Sequence, residues 1–133
     1  MAPAALLLLG IVGVGVAAAS RRDAATERRR VLARSMRQAA DRQLFDDWIA
    51  LAQDPWAHLV VRRTAWSAAS FLKKLWLDTG RSGMRMPRGL SLRIYGNWCG
   101  PGYGGGPCLD EIDCACRAHD LAYGDAAAIE DGP

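Results

Sequence analysis

Residues 95–123, YGNWCGPGYGGGPCLDEIDCACRAHDLAY, carry the pattern on which the interpretation of the whole chain depends. A glycine-rich loop that bears cysteines precedes a His119–Asp120 pair in a segment that reads as a helix. Glycine tolerates positive φ, so such a loop can turn its backbone carbonyls inward. Carbonyls and a carboxylate are the ligands that Ca²⁺ prefers, and a neighbouring histidine can accept a proton near neutral pH. The stretch therefore predicts a calcium site beside a hydrolytic base.

The segment from Asp110 to Gly124 is predicted to be a helix, with Asp113 in its first turn and Gly124 closing it. Its chemistry-bearing side chains recur at i, i+3, i+4 and i+7, which places them on one broad face: Cys116, His119, Asp120 and Tyr123.

Charge divides the chain into two unlike parts. Residues 1–93 hold 16 Lys/Arg against 7 Asp/Glu, net +9, and residues 94–133 hold 1 against 7, net −6, which sum to +3. This division suggests an anionic partner for the first part and a cation for the second. The acidic part also holds all four cysteines, which favours disulfides and an oxidising compartment: Cys99, Cys108, Cys114 and Cys116.

Residues 1–20 are predicted to be a signal peptide or a membrane anchor. Ala2 to Ser20 carry no charge, and Ala17–Ala19 offer a small-residue cleavage site. Arg21 and Arg22 follow the apolar run directly, which is what a retained anchor with a cytoplasmic basic flank would show. Both interpretations stay open.

Residues 21–93 form a basic helical region that ends in a linker. Apolar residues at intervals of three and four predict an amphipathic helix over residues 24–53, stopped by Pro55, and a second helix over 57–78. The Gly/Pro-containing residues 80–93 are the linker. The large apolar side chains of the second helix are expected in the core, and a face that binds anionic phospholipid is the alternative.

Residues 94–133 are the third unit, and here the motif resembles the secreted phospholipase A2 family. The residues that match are Tyr95–Gly102, Asp113, Cys116–Asp120 and Tyr123. The family pattern is YGxxCGxG, then DxCCxxHD and a tyrosine three residues on. The match covers 29 of 133 residues. It implies a calcium loop that is joined by a Cys99–Cys116 disulfide to a catalytic helix. With the amphipathic helices predicted before them, the expected fold is all-α.

The resemblance also implies a role for each site residue. Ca²⁺ would be held by the carbonyls of Trp98, Gly100 and Gly102 and by the Asp120 carboxylate. His119 would be the general base that activates a water, and the Gly100 N–H would help to stabilise the oxyanion. Tyr123 would orient the histidine network through its hydroxyl.

The implied activity is calcium-dependent hydrolysis of the sn-2 ester of glycerophospholipids, which releases a fatty acid and a lysophospholipid. The expected partner is an anionic phospholipid surface, reached by a protein that is secreted or anchored facing an oxidising compartment. The alternative is a catalytically impaired domain that binds membrane or a partner. The sequence does not specify an oligomeric state, a head group or an acyl chain.

The chain departs from the family pattern in two places. Ala115 and Cys116 stand where the family has two adjacent cysteines, with Cys114 one position earlier, and the pairing of Cys108 and Cys114 stays open. The family also carries, on a second long helix, an aspartate that hydrogen-bonds the catalytic histidine, whereas 13 residues follow Asp120 here and Asp125 lies too close. Three explanations remain: a chain truncated after the catalytic helix, a wall supplied by the N-terminal helices, or weak or absent activity.

Other site types fit the sequence less well. A zinc site would use the four cysteines and His119, but Cys-x-Cys-x2-His is an uncommon zinc spacing and leaves the glycine loop unexplained. Simple packing of His119 without a metal is a further alternative. The loop lacks the Gly-Lys-Ser/Thr ending of a phosphate-binding P-loop. Nucleic-acid binding is not expected, because the arginines lack interleaved aromatics for base stacking.

Overall fold

A computed structural model describes residues 2–87 and 89–132, with side chains from residue 21 onward. Its order is helix α1 (Ala2–Gln53), helix α2 (Leu59–Leu72), a π-helical turn (Lys73–Leu77) and helix α3 (Glu111–Glu130). The described residues hold no strand beyond an isolated bridge between Tyr95 and Cys99. The predicted all-α class is therefore confirmed.

The side chains of the predicted signal or anchor, residues 1–20, lie outside the described part of the chain. Within the described part, no helix is long and apolar enough to cross a membrane.

Helix α1 provides one wall of the core. Its buried positions recur every three or four residues, as the sequence predicted: Ala33, Arg37, Ala40, Asp41, Leu44, Trp48 and Leu51. The Trp48 indole also donates to the Ile112 carbonyl of α3 at 3.4 Å, so the α1–α3 contact is polar as well as apolar. The helix ends at Gln53, just before Asp54 and Pro55, because proline disfavours helical backbone in the residue before it.

The exposed residues of helix α2 differ from the prediction for this segment. Its fully buried residues are Ala65 and Ala69, whereas Trp66 and Phe71 are 56% and 63% exposed. The prediction that the large apolar side chains of this segment form core is wrong for these two. Small residues let the helix backbone lie close to α1, which leaves the bulky residues on the outer side.

The hydrophobic core crosses the boundary that the sequence suggested between residues 93 and 94. Leu44 and Trp48 of α1 and Ala65 of α2 belong to one cluster with Ile112 and Cys116 of α3. Burial of this shared cluster ties the basic helices to the motif region, because each element loses apolar contact if the other leaves.

Helix α3 begins as predicted but does not end at Gly124. Asp110 caps it by accepting the Asp113 N–H at 2.8 Å, which satisfies one free donor of the first turn. The helix continues to Glu130, since an isolated glycine costs only about 1 kcal/mol and the following alanines favour helix. Near its end, Glu130 binds the buried Arg37 of α1 at 2.8 Å.

Two disulfides tie the glycine loop to α3. Cys99 bonds Cys116, the pairing that the resemblance implied, with Cα atoms 5.1 Å apart. Cys108 bonds Cys114, the pairing that the sequence left open. Two disulfides in a chain of this size indicate an oxidising environment. They also exclude the zinc alternative, because all four thiols are consumed.

The linker docks on α1 through Gly83, which yields a stability prediction. Gly83 has φ +81°, and a Cβ there would lie 2.5 Å from Gln38 Cγ and 2.9 Å from the Arg34 carbonyl oxygen. Gly80 has a similar φ of +73° but open space around it. In urea denaturation we expect Gly83→Ala to lower the free energy of unfolding by about 3 kcal/mol and Gly80→Ala by about 1 kcal/mol. Equal losses would show that the docking contact contributes nothing.

Candidate active site

The glycine loop is fixed to α3 by one buried carboxylate. Asp113, which is fully buried, accepts the backbone N–H groups of Asn97, Trp98 and Leu109 at 2.8–2.9 Å. Burial alone would raise the pKa of Asp113, but these hydrogen bonds hold it below its ordinary value. A Cβ at Gly96 would lie 2.5 Å from this carboxylate carbon, so the loop reaches it only through glycine.

Carbonyls along the loop fall into two groups. The Cys99 carbonyl accepts the N–H groups of Ile94 and Tyr95, and the Pro101 carbonyl accepts that of Leu92, at 2.9–3.0 Å. The Gly100 carbonyl accepts the Tyr103 N–H at 3.3 Å, while those of Trp98 and Gly102 have no hydrogen bond from the described residues. Residues 92–95 thus donate to the carbonyls of Cys99 and Pro101. Of the three carbonyls that were expected to bind Ca²⁺, those of Trp98 and Gly102 accept no hydrogen bond from the described residues.

The loop and α3 together line a cavity of about 700 Å³. All six residues that the sequence predicted as catalytic or metal-binding line it: Trp98, Gly100, Gly102, His119, Asp120 and Tyr123. Its other walls are mainly apolar side chains of α1, α2, the π-turn, the linker and the residue that follows it: Leu44, Trp48, Phe71, Leu72, Leu75, Trp76, Met86 and Ile94. The single face predicted for the α3 residues from their spacing is therefore consistent with the fold.

The donor set at this cavity suits a hard cation. Asp120 contributes a partly exposed carboxylate, and a Cβ at Gly104 would lie 2.9 Å from its Oδ2, so the loop backbone passes close by. Carbonyl and carboxylate oxygens are calcium ligands. The described residues contain no group of three His, Cys, Asp or Glu side chains suited to a metal. The calcium site that the resemblance implies would use one carboxylate and three carbonyls, and residues that carry donors of both kinds line the cavity.

A residue that the sequence did not identify contacts two of the predicted site residues: Asp41 of α1. Its Oδ1 lies 2.6 Å from His119 Nε2 and accepts the Tyr123 hydroxyl at 2.7 Å. The Tyr123 ring also lies against the imidazole, with centroids 4.5 Å apart. Of the three explanations for the missing aspartate, a wall supplied by the N-terminal helices matches this geometry.

These contacts shift the pKa values of both Asp41 and His119. Burial would raise the pKa of Asp41, yet hydrogen bonds from His119, Tyr123, Gly83 and Trp76 lower it from 3.8 to about 2. Burial would lower the pKa of His119, but Asp120 and Asp41 raise it above its ordinary value. Burial raises the pKa of the Tyr123 hydroxyl, and the Asp41 carboxylate raises it further. Asp41 is therefore an anion at neutral pH.

The sequence did contain a signal for Asp41. Asp41 lies between Ala40 and Leu44 at the helical spacing of the buried face. A charged residue that is buried there needs hydrogen-bond partners. That signal identifies a buried carboxylate but not its partner, because His119 lies 78 residues further along the chain.

No protein-family model matches the chain. No solved structure matches it either.

The ionised Asp41 gives a prediction for acid stability. Its folded pKa lies below its ordinary value, so its stabilisation is present above about pH 4 and is lost as pH falls through about 2. We expect thermal unfolding to show Asp41→Asn less stable than wild type by about 2 kcal/mol at pH 6, with the difference shrinking below about pH 4. Asp113 responds to acid in both proteins, so its contribution cancels in the difference. A gap that stays constant from pH 6 to 2 would contradict an ionised Asp41.

Proposed function

We propose that the protein hydrolyses the sn-2 ester of glycerophospholipids in a calcium-dependent reaction, releasing a fatty acid and a lysophospholipid. The observation that carries this proposal is the bond between His119 and the buried Asp41 at 2.6 Å, inside the cavity that the glycine loop and Asp120 also line. The two disulfides support a protein that acts in an oxidising compartment, either secreted or anchored to a membrane.

The hydrogen-bond network assigns the tautomer of His119. Asp41 is an anion and can only accept, so Nε2 carries a proton, and in the neutral imidazole Nδ1 is then left bare. Nδ1 lies 3.8 Å from Asp120 Oδ1, on the side of the expected metal ligands. A water held there can lose its proton to Nδ1, and Asp41 then stabilises the imidazolium that forms.

The loop and Asp120 would supply the electrophilic part of the reaction. The carbonyls of Trp98, Gly100 and Gly102 and the Asp120 carboxylate would hold Ca²⁺, which when bound acts as a Lewis acid toward the ester carbonyl. The Gly100 N–H would donate to the developing oxyanion. The apolar cavity walls, among them Leu44, Trp48 and Leu72, suit an acyl chain.

Fatty-acid release from phosphatidylglycerol vesicles tests the proposal. We expect release in millimolar Ca²⁺ and none after chelation. His119→Gln should reduce turnover by at least about 100-fold while calcium binding, measured by calorimetry, is retained. Absence of release by the wild-type chain with calcium bound would contradict the enzyme proposal. Equal turnover of wild type and His119→Gln would contradict the assignment of the base.

A second candidate function, a membrane-binding module, is favoured by the exposed side of α2 and the π-turn. We call this side the α2 outer face; it combines exposed apolar and basic residues: Leu59, Val60, Arg63, Trp66, Phe71, Lys74 and Leu75. Phe71 and Leu75 also line the cavity, so the face is continuous with its wall. Aromatic and apolar residues beside Lys and Arg suit an anionic phospholipid surface.

Vesicle partitioning tests the α2 outer face independently of hydrolysis. In the His119→Gln background with calcium chelated, we expect Trp66→Ala/Phe71→Ala to weaken binding to phosphatidylglycerol vesicles by at least about 10-fold. Leu109→Ala is the control, because Leu109 is 62% exposed but precedes the cap of α3 and lies outside the α2 outer face. If the double variant and the control bind equally well, the face has no role in membrane binding.

A further inference from the structure

The second oxygen of the Asp41 carboxylate makes contacts that the proposed reaction does not itself require. Oδ2 accepts three hydrogen bonds: from Trp76 Nε1 at 2.8 Å, from Ser82 Oγ at 2.9 Å and from the Gly83 N–H at 2.8 Å. None of these donors belongs to α1 or α3. The π-turn provides the first, and the segment after it provides the other two.

Backbone structure places each donor against α1. Trp76 lies in the π-turn, which the Asp78 N–H closes by donating to the Lys73 carbonyl at 2.8 Å. Gly83 is buried with φ +81°, and its carbonyl accepts the Arg37 Nε–H at 2.6 Å. Gly83 is therefore held from both sides, by Arg37 through its carbonyl and by Asp41 through its N–H.

Three donors on one oxygen restrict how the carboxylate can rotate. A carboxylate bonded only to His119 could turn about its χ2 torsion, which is broad for aspartate, and exchange its two oxygens. With Oδ2 occupied on the side of the π-turn, Oδ1 alone faces His119 and Tyr123. Partners of this kind orient a catalytic group without touching substrate.

We propose that Trp76 and Ser82 are positioning residues that fix the rotation of the Asp41 carboxylate, so that Oδ1 is directed at His119. Both side chains donate to Oδ2, whereas His119 is bonded to Oδ1. The inference rests on the proposed function only for its kinetic consequence, because the geometry of the His119–Asp41 bond can be observed without turnover.

Proton NMR and kinetics on the full chain test this proposal with Trp76→Phe, which removes the indole N–H and keeps an aromatic ring. The readout is the downfield resonance of the His119 Nε2–H proton, identified by its loss in His119→Gln; the only other histidine, His58, is exposed. We expect this resonance to move upfield and to exchange faster with water in Trp76→Phe. We also expect kcat to fall about 10-fold with KM and calcium affinity unchanged. Trp56→Phe, at a 94% exposed position, is the matched control and should change neither.

Variants of Ser82 provide a second test, which is needed if Trp76→Phe does not fold. Ser82→Ala should move the same resonance in the same direction, and Ser82→Thr, which restores a hydroxyl, should return it. An unchanged resonance in Ser82→Ala and in any folded Trp76→Phe protein would overturn the proposal. If the wild-type chain releases no fatty acid, the proposed function fails, and the resonance alone still decides whether Trp76 and Ser82 position Asp41.

Discussion

The buried carboxylate of Asp41 is the constraint on which the arrangement of the chain depends. An ionised group that is fully buried is costly unless it is hydrogen-bonded on all sides. Five donors satisfy Asp41, and they come from the π-turn, the linker and α3. Each of these segments therefore has to lie against the middle of α1, and the cavity forms where they meet.

The contact between Asp41 and His119 joins the N-terminal region to the motif region at the candidate site. In the family that residues 95–123 resemble, the aspartate that bonds the histidine lies on a helix after the motif. In this chain α1, which precedes the motif, provides a carboxylate at His119. The basic N-terminal region thus has a structural role at the site, and its α2 outer face borders the same cavity.

What could be predicted from the sequence was local. The face shared by His119, Asp120 and Tyr123 follows from helical spacing within one segment. The glycine loop was predicted as well, whereas the close approach of Gly96 to the Asp113 carboxylate is seen only in the structure. Asp41 could not be assigned, because its partners are 35 to 82 residues away and no spacing rule relates them. The exposure of Trp66 and Phe71 was missed because packing through Ala65 and Ala69 is decided between helices, not within one.

A double-mutant cycle tests the central contact most directly. The free energy of unfolding is measured at pH 7 by urea denaturation for wild type, Asp41→Asn, His119→Gln and the combined variant. If Asp41 of α1 holds His119 of α3, the losses are not additive, and we predict a coupling energy of about 1–3 kcal/mol. A coupling near zero would mean that the two residues do not interact in the folded protein, and it would contradict a site built on the contact between them.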